Sequence, residues 1–234
     1  MGSSGLLRQQ IEARIPSAFR VQARPQGRYI PTGMHSMDGI AGGVPMGALT
    51  EICGSGLASS GKTSGLISLL AHASQEHFCA LVDVSDCFDP ASAQAAGMNF
   101  SRLLWIRCGK SKQKLRPLEQ AFKVADMLLQ SSGFGLIAVD LSNIPERYVR
   151  NIPLSTWFRF SRVVEGQSTA LVFIERQPHA TSCAELVLNI KTSPALLSGN
   201  LLTQLNFSVE VMRTRNKKPG QAVRPAFPVR AQWS

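Results

Sequence analysis

The chain has 234 residues, 44% of them hydrophobic and 17% charged, with a formal net charge of +10. That balance describes one large folded core, with or without a short appendage, and excludes a disordered chain. No apolar run approaches the roughly 18 to 20 residues needed to span a bilayer, and the first residues carry no export signature, so a cytoplasmic protein without membrane contact is expected.

The five cysteines (Cys53, Cys79, Cys87, Cys108, Cys183) are scattered and never spaced C-x-x-C. They are expected to be small core residues in a reducing compartment. The positive charge is concentrated between Arg102 and Lys123 and again after Glu210, in "RTRNKKPG". Such clusters favour a polyanionic partner, although a solvated basic face fits composition alone.

In chain order, Leu7, Ile11 and Ile15 mark a short amphipathic helix, followed by a linker containing Arg and Pro, "FRVQARPQGRYIPTG". "ALTEIC" predicts a buried strand that runs into "CGSGLASSGKTSG", and a helix opens at Lys62. Gly56, Gly61, Lys62 and Thr63 meet the pattern G-x-x-x-x-G-K-[ST] in the strand, loop and helix context that a P-loop requires. There, backbone N–H groups at a helix N-terminus wrap a triphosphate, Lys62 neutralises it, and the Thr63 hydroxyl ligates Mg2+. A nucleoside triphosphate with Mg2+ is the expected ligand.

"FCALVDV" is the next predicted strand, and "FDPASAQAAG" a helix with an Asp cap, a Pro at its first position and a Gly at its end. "RLLWIRC" predicts a strand, and residues 114–129 a helix. "FGLIAVDLS" reads as a strand buried on both faces and ending in Asp140, the natural second partner for the magnesium ion. A helix in "STWFRFSRVVEG" precedes the strand "TALVFIE". Strands alternating with helices give a twisted, mostly parallel sheet. "AELVLNIK" and "LTQLNFSVEVMRTR" alternate apolar and polar residues, which predicts antiparallel strands at one sheet edge. The prolines at 219, 225 and 228 suggest a loose tail.

"TGMHSMDGIAGGVPMGALTEICG", the P-loop, "LVDVSDCFDP", "GLIAVD", "LVFIE" and "VMRTRNKKPG" occur in an order that resembles the RecA recombinase family, from about Pro31 to Gly220. "FDPASAQAAGMNFSRLLWIRC" is most similar to the ImuA-like branch of that family, associated with translesion synthesis. The resemblance implies an α/β, RecA-like P-loop core over residues 31–218, a helical arm over 1–30 and a basic flexible tail over 219–234. It implies nucleotide contacts at Gly56, Ser59, Ser60, Gly61, Lys62, Thr63 and Ser64, with metal contacts at Thr63 and Asp140. Asp89 falls where the family contacts adenine, while Ser92 replaces the aromatic residue that stacks on the base.

Other positions depart from the family. Ser85 replaces the glutamate that polarises the attacking water, and a serine cannot act as a carboxylate base. Asp86 and Glu175 are the remaining candidates for that role, and hydrolysis is expected to be impaired. Arg176 takes the place of a phosphate-sensing glutamine. The following "RQPHATSCAE" is shorter than the family's mobile loop and lacks glycine, and His179 reads as a plain polar loop residue.

Arg147, Tyr148, Arg150, Trp157 and Arg159 form a basic, aromatic mix that suits contact with single-stranded DNA; an amphipathic helix with a solvated basic face fits as well. Arg213, Arg215, Lys217 and Lys218 are candidate DNA or subunit contacts, and the N-terminal arm keeps self-association open. The resemblance implies a DNA-repair accessory acting through RecA or a RecA-like filament and translesion polymerase components. The alternatives are an active DNA-dependent ATPase and recombinase, or a regulatory ATPase built on the same core.

Overall fold

The computed structural model describes residues 28–54, 61–108, 116–192, 196–198, 201–214 and 226–229. Strands β1 (Tyr29–Ile30) and β2 (Val44–Pro45) form a small antiparallel ribbon around helix α1 (His35–Ala41). The larger sheet holds β3 (Ala48–Cys53), β4 (Cys79–Asp83), β5 (Leu103–Arg107), β6 (Leu136–Asp140), β7 (Ala170–Glu175), β8 (Leu186–Thr192), β9 (Leu196–Ser198), β10 (Leu201–Thr214) and β11 (Ala226–Val229). Its order is β11-β10-β8-β3-β7-β6-β4-β5, with β9 paired to β10. The six strands from β8 to β5 are parallel. The helices are α2 (Lys62–Glu76), α3 (Pro90–Ala95), α4 (Arg116–Ser131), α5 (Glu146–Val149) and α6 (Leu154–Val164). This is the α/β architecture expected of a RecA-like core.

Two apolar layers follow from strand alternation. On one face Ile52, Leu81, Ala138, Val172 and Ile174 pack under Leu66, Leu69 and Leu70 of α2. On the other, Leu49, Val82, Val139, Leu171 and Phe173 meet Phe122, Ala125 and Leu129 of α4 and Trp157, Phe160 and Val164 of α6. The rings of Phe122, Trp157, Phe160 and Phe173 stack and cross at 4.9 to 5.9 Å between centroids.

Three sequence expectations need correction. β8 pairs antiparallel with β10 but parallel with β3, so it belongs to the parallel core as much as to the edge. Within the segment expected to be a loose tail, residues 226–229 form β11, antiparallel to β10. Pro228 is tolerated there because β11 is the outermost strand of the sheet among the described residues, and edge strands accommodate proline. The third concerns α1, which the sequence left as a motif without structure. Asp38 accepts hydrogen bonds from Thr32 N, Thr32 Oγ1 and Gly33 N at 2.8 to 3.1 Å, folding the "TGMHSMD" segment onto itself. Gly33 has φ +75, and a Cβ there would overlap the His72 ring of α2.

The topology locates a crevice. The connection leaving β3 runs through α2 towards β4, whereas the connection leaving β7 returns across β3 to β8. The first packs on the face of α2, and the second, through Ala180, Cys183 and Ala184, on the face of α4 and α6. The carboxyl ends of β3 and β7 therefore sit where the chain diverges to opposite sides, the usual place for a ligand in a parallel sheet. The expected arm at 1–30 lies almost entirely outside the described residues.

Candidate functional site

β3 delivers Gly54 to the crevice, and the chain returns at Gly61, whose φ of 77° turns it into α2. Gly56, Ser59 and Ser60 lie outside the described residues. Lys62, the first residue of α2, is 7% exposed, and its Nζ donates to Gly54 O at 3.2 Å across the mouth of the loop. Burial lowers its pKa and the nearby Arg176 charge adds to that, while Asp140 opposes. Thr63 and Ser64 are exposed in the first turn of this 15-residue helix, at its positive end.

Asp140 ends β6, in register with Asp83 at the end of β4. Its Oδ1 accepts from Ser142 N (2.9 Å) and Ser142 Oγ (2.5 Å), and burial raises its pKa against those bonds. Among the described residues Oδ2 has no hydrogen bond. Ser142 O in turn accepts from Arg176 Nε at 3.0 Å. Lys62, Asp140 and Arg176 are thus brought to one place from α2, β6 and β7.

The other acids near these strand ends are engaged elsewhere. Buried Asp83 accepts from Cys87 N, Phe88 N and Trp105 Nε1, which shapes the loop after β4. Asp86, at φ 55, grips Arg107 with both oxygens at 2.5 and 2.7 Å, and the Arg107 guanidinium lies 5.2 Å from the Trp105 ring. Asp89 caps α3 as the sequence predicts, accepting from Ala91 N, Ser92 N and Ser92 Oγ; the Ser92 bonds lower its pKa.

Glu175 shares a face with Phe173 and Leu171, opposite α2. It is 1% exposed, and its Oε2 lies 2.6 Å from His179 Nδ1. Burial pushes its pKa up to about 7, with the His179 bond opposing and Glu51 adding. Glu51 of β3 is fully buried beside it, and its Oε1 accepts from His179 N (2.6 Å) and Ala180 N (2.7 Å). His179 is therefore not the plain loop residue the sequence suggested. The available signals were a glutamate inside an otherwise buried strand and an E-x-x-x-H spacing after β7.

Of the basic residues, Arg147 is exposed and lies 5.0 Å from the Tyr148 ring, and Arg150 is exposed at the end of α5. Arg213 Nη1 donates to Thr181 O at 2.6 Å. Trp157 is corrected from candidate base-stacking residue to core: at 1% exposure it packs on Phe122 and Phe173, because the apolar stripe of α6 faces the sheet. Arg215, Lys217 and Lys218 lie outside the described residues. Four cysteines are buried as expected, but Cys87 is exposed. Among the described residues there is no cluster of three or more His, Cys, Asp or Glu suited to a metal, and no helix long and apolar enough to cross a membrane.

Comparison with known proteins places this geometry in context. The RecA N-terminal domain family matches residues 19–146, more than half of the chain. The chain is similar to the protein RecA of Rickettsia africae (strain ESF-5), 37% identical over 100 residues, which is 42% of this chain and 26% of that protein. It is also similar to the protein RecA of Colwellia psychrerythraea (strain 34H), 36% identical over 101 residues, 43% of this chain and 27% of that protein. The match thus spans about a quarter of the length of these relatives. With that match over more than half of its length, the chain belongs to the RecA N-terminal domain family.

Proposed function

We propose that the chain is a RecA-like protein of DNA-damage tolerance that binds ATP with Mg2+ and hydrolyses it slowly or not at all. It acts as an accessory factor of translesion synthesis, of the ImuA-like kind, through contacts with RecA or a RecA-like filament and polymerase components. The core over 31–218 carries the site, the arm over 1–30 supports association, and the tail begins at 219. The observation that carries the reading is the meeting of Lys62, Asp140 and Arg176 at the strand ends, and the resemblance adds Ser85 where the family has its base.

Gly56, Ser59, Ser60, Gly61, Lys62, Thr63 and Ser64 would hold the phosphates, and Asp89 would meet the base. The residues present fit a magnesium ion: Thr63 is exposed at the helix head, and buried Asp140 keeps Oδ2 without a hydrogen bond among the described residues. When bound, the ion would neutralise phosphate charge. Asp86 and Glu175 are poorly suited to activate water, since one is engaged by Arg107 and the other faces away from α2.

Melting curves with and without Mg-ATP test the cradle. Nucleotide at about a hundred times its Kd stabilises by about 2.7 kcal/mol, and Lys62→Ala should abolish the shift. No shift at millimolar ATP would sink the proposal. Exposed Arg147 beside the half-buried Tyr148 ring favours a second reading, a DNA-dependent ATPase that binds single-stranded DNA. Turnover near about one per second, at the low end of ordinary enzymes, stimulated by DNA and lost in Lys62→Ala, would select it.

A further inference from the structure

Helix α6 is apolar on more than the face that meets the sheet. Trp157, Phe160 and Val164 recur at the spacing of one helix face and are buried in the aromatic layer. Arg159 and Val163 fall on one flank of that face, where Arg159 Nε lies 3.7 Å from Asp126 Oδ1 of α4. Leu154 and Phe158, four residues apart, fall on the other flank and are 45% and 47% exposed. α4 lies over β4 and β6 and α6 over β3, so this second flank points away from α4, to the side where the turn Thr181–Cys183 packs on α6. Arg213 Nη1 donates to Thr181 O and stands beyond that turn.

Charge frames the apolar pair. Residues 147–162 hold four arginines and no acid. Arg159 is matched by Asp126, whereas exposed Arg162 continues the Leu154–Phe158 stripe one turn on, and exposed Arg150 lies four residues before Leu154. Glu165, past the end of α6, is the next acid along the chain. Apolar atoms framed by charge of one sign suit a segment that brings apolar anchors and carboxylates together. Two anchors one turn apart match the i, i+4 ridge of an amphipathic helix. Nucleic acid fits this flank less well. Trp157 and Phe160 are buried and Tyr148 is half-buried, so within 147–162 Phe158 alone offers an open ring, and stacking of successive bases needs several. A second copy of the chain is opposed by charge, since each carries +10 and the amphipathic stretch 6–15 has Arg8 and Arg14 against Glu12 alone.

We propose that the outer flank of α6, centred on Leu154, Phe158 and Arg162, is a docking face for an acidic amphipathic helix of another protein. The apolar pair supplies the anchors, and Arg150, Arg162 and Arg213 meet carboxylates on the rim of the incoming helix. The face lies across the sheet from α2, so it stands or falls apart from the nucleotide reading of the strand ends.

Selection of phage-displayed random peptides of about 16 residues, about four helical turns, against the immobilised full chain tests it. Enriched sequences should combine apolar residues at helical spacing with Asp or Glu. Labelled synthetic copies should bind in fluorescence anisotropy with an affinity that falls as salt rises. Phe158→Ser and Leu154→Ser should each weaken that binding about tenfold or more. Arg162→Glu should weaken it about tenfold and prefer the same peptide with its acids changed to Lys. Met127→Ser, at an exposed apolar position of α4, should change nothing. The proposal is overturned if no peptide is enriched, if the enriched peptides lack acids, or if they bind Phe158→Ser as well as wild type. Binding of oligo(dT) that is lost in Phe158→Ser while peptide binding is kept would make this a nucleic-acid face. Self-association in sedimentation that is lost in Phe158→Ser, without peptide binding, would make it an interface between copies. Either result overturns the proposal. Should Phe158→Ser lower the melting temperature, the charge swap at exposed Arg162 still decides.

Discussion

Replacing Glu175 by Gln should flatten the dependence of stability on pH. Burial raises the Glu175 pKa from the ordinary 4.5 to about 7. A raised folded-state pKa means that the folded protein keeps a proton that the unfolded chain has released. The stability is complete below pH 4.5 and is lost as pH climbs to 7. Between pH 5.5 and 7 that is about one and a half units, or about 2 kcal/mol. At about 2–4 °C per kcal/mol for a protein of this size, the melting temperature should fall by about 4–8 °C over that interval. His179 extends the loss upward: burial opposes its charge, but the bond and charge of Glu175, with Glu51 and Glu146 nearby, raise its pKa above 6.5. Glu51, faced also by Arg213, and Asp140 are raised too and act in the same direction, but both remain in the variant and cancel from the difference. The assay is thermal melting of both proteins from pH 5.5 to pH 7.5. Equal falls in wild type and Glu175→Gln would refute the account of Glu175 as a buried, proton-retaining carboxylate.

Three more outcomes follow from particular contacts. Trp157→Ala should destabilise by about 3–5 kcal/mol in denaturant titration, because the ring fills the space between Phe122 and Phe173. Asp38→Ala should cost about 1–3 kcal/mol, since Thr32 and Gly33 lose their shared acceptor. Ser85→Glu should raise ATP turnover in a phosphate-release assay; an unchanged rate would show that the missing base is not what limits hydrolysis.

Local features of the sequence were legible. "ALTEIC" coincides with β3, and the Asp, Pro and Gly signals of "FDPASAQAAG" match a helix capped by Asp89, begun at Pro90 and followed by Gly97 at φ 81. The start of α2 at Lys62 was legible because the glycine-rich stretch and the helical pattern adjoin in sequence. Features that depend on distant partners were not. Glu51 bonds backbone 128 residues away, and nothing near "ALTEIC" announces it. β8 misled because its first half is buried on both faces, whereas Asn189 and Lys191 point into a more open environment, and the resulting alternation imitates an edge strand. Helix α1 is only seven residues long with Gly39 inside it, too short for a periodic signal.

The distribution of carboxylates bears on the central question of what the cradle does with a triphosphate. Four acids lie at or just beyond the carboxyl ends of β4, β6 and β7, and each has a defined occupation. Asp83 receives three donors and shapes a loop, Asp86 holds Arg107, Asp140 holds Ser142, and Glu175 is paired with His179 on the far face. General-base catalysis needs a carboxylate that is ionised and within reach of the attacking water. Among these, Asp140 is the one beside Lys62, and the metal reading already assigns it. The cationic side is better supplied, with Lys62 and Arg176 close enough for Arg176 to depress the Lys62 pKa. On the proposed reading, two cations for the phosphates and, among the described residues, no uncommitted acid at these strand ends favour holding over cleavage, and they make position 85, not the P-loop, the place where a single substitution should change the chemistry.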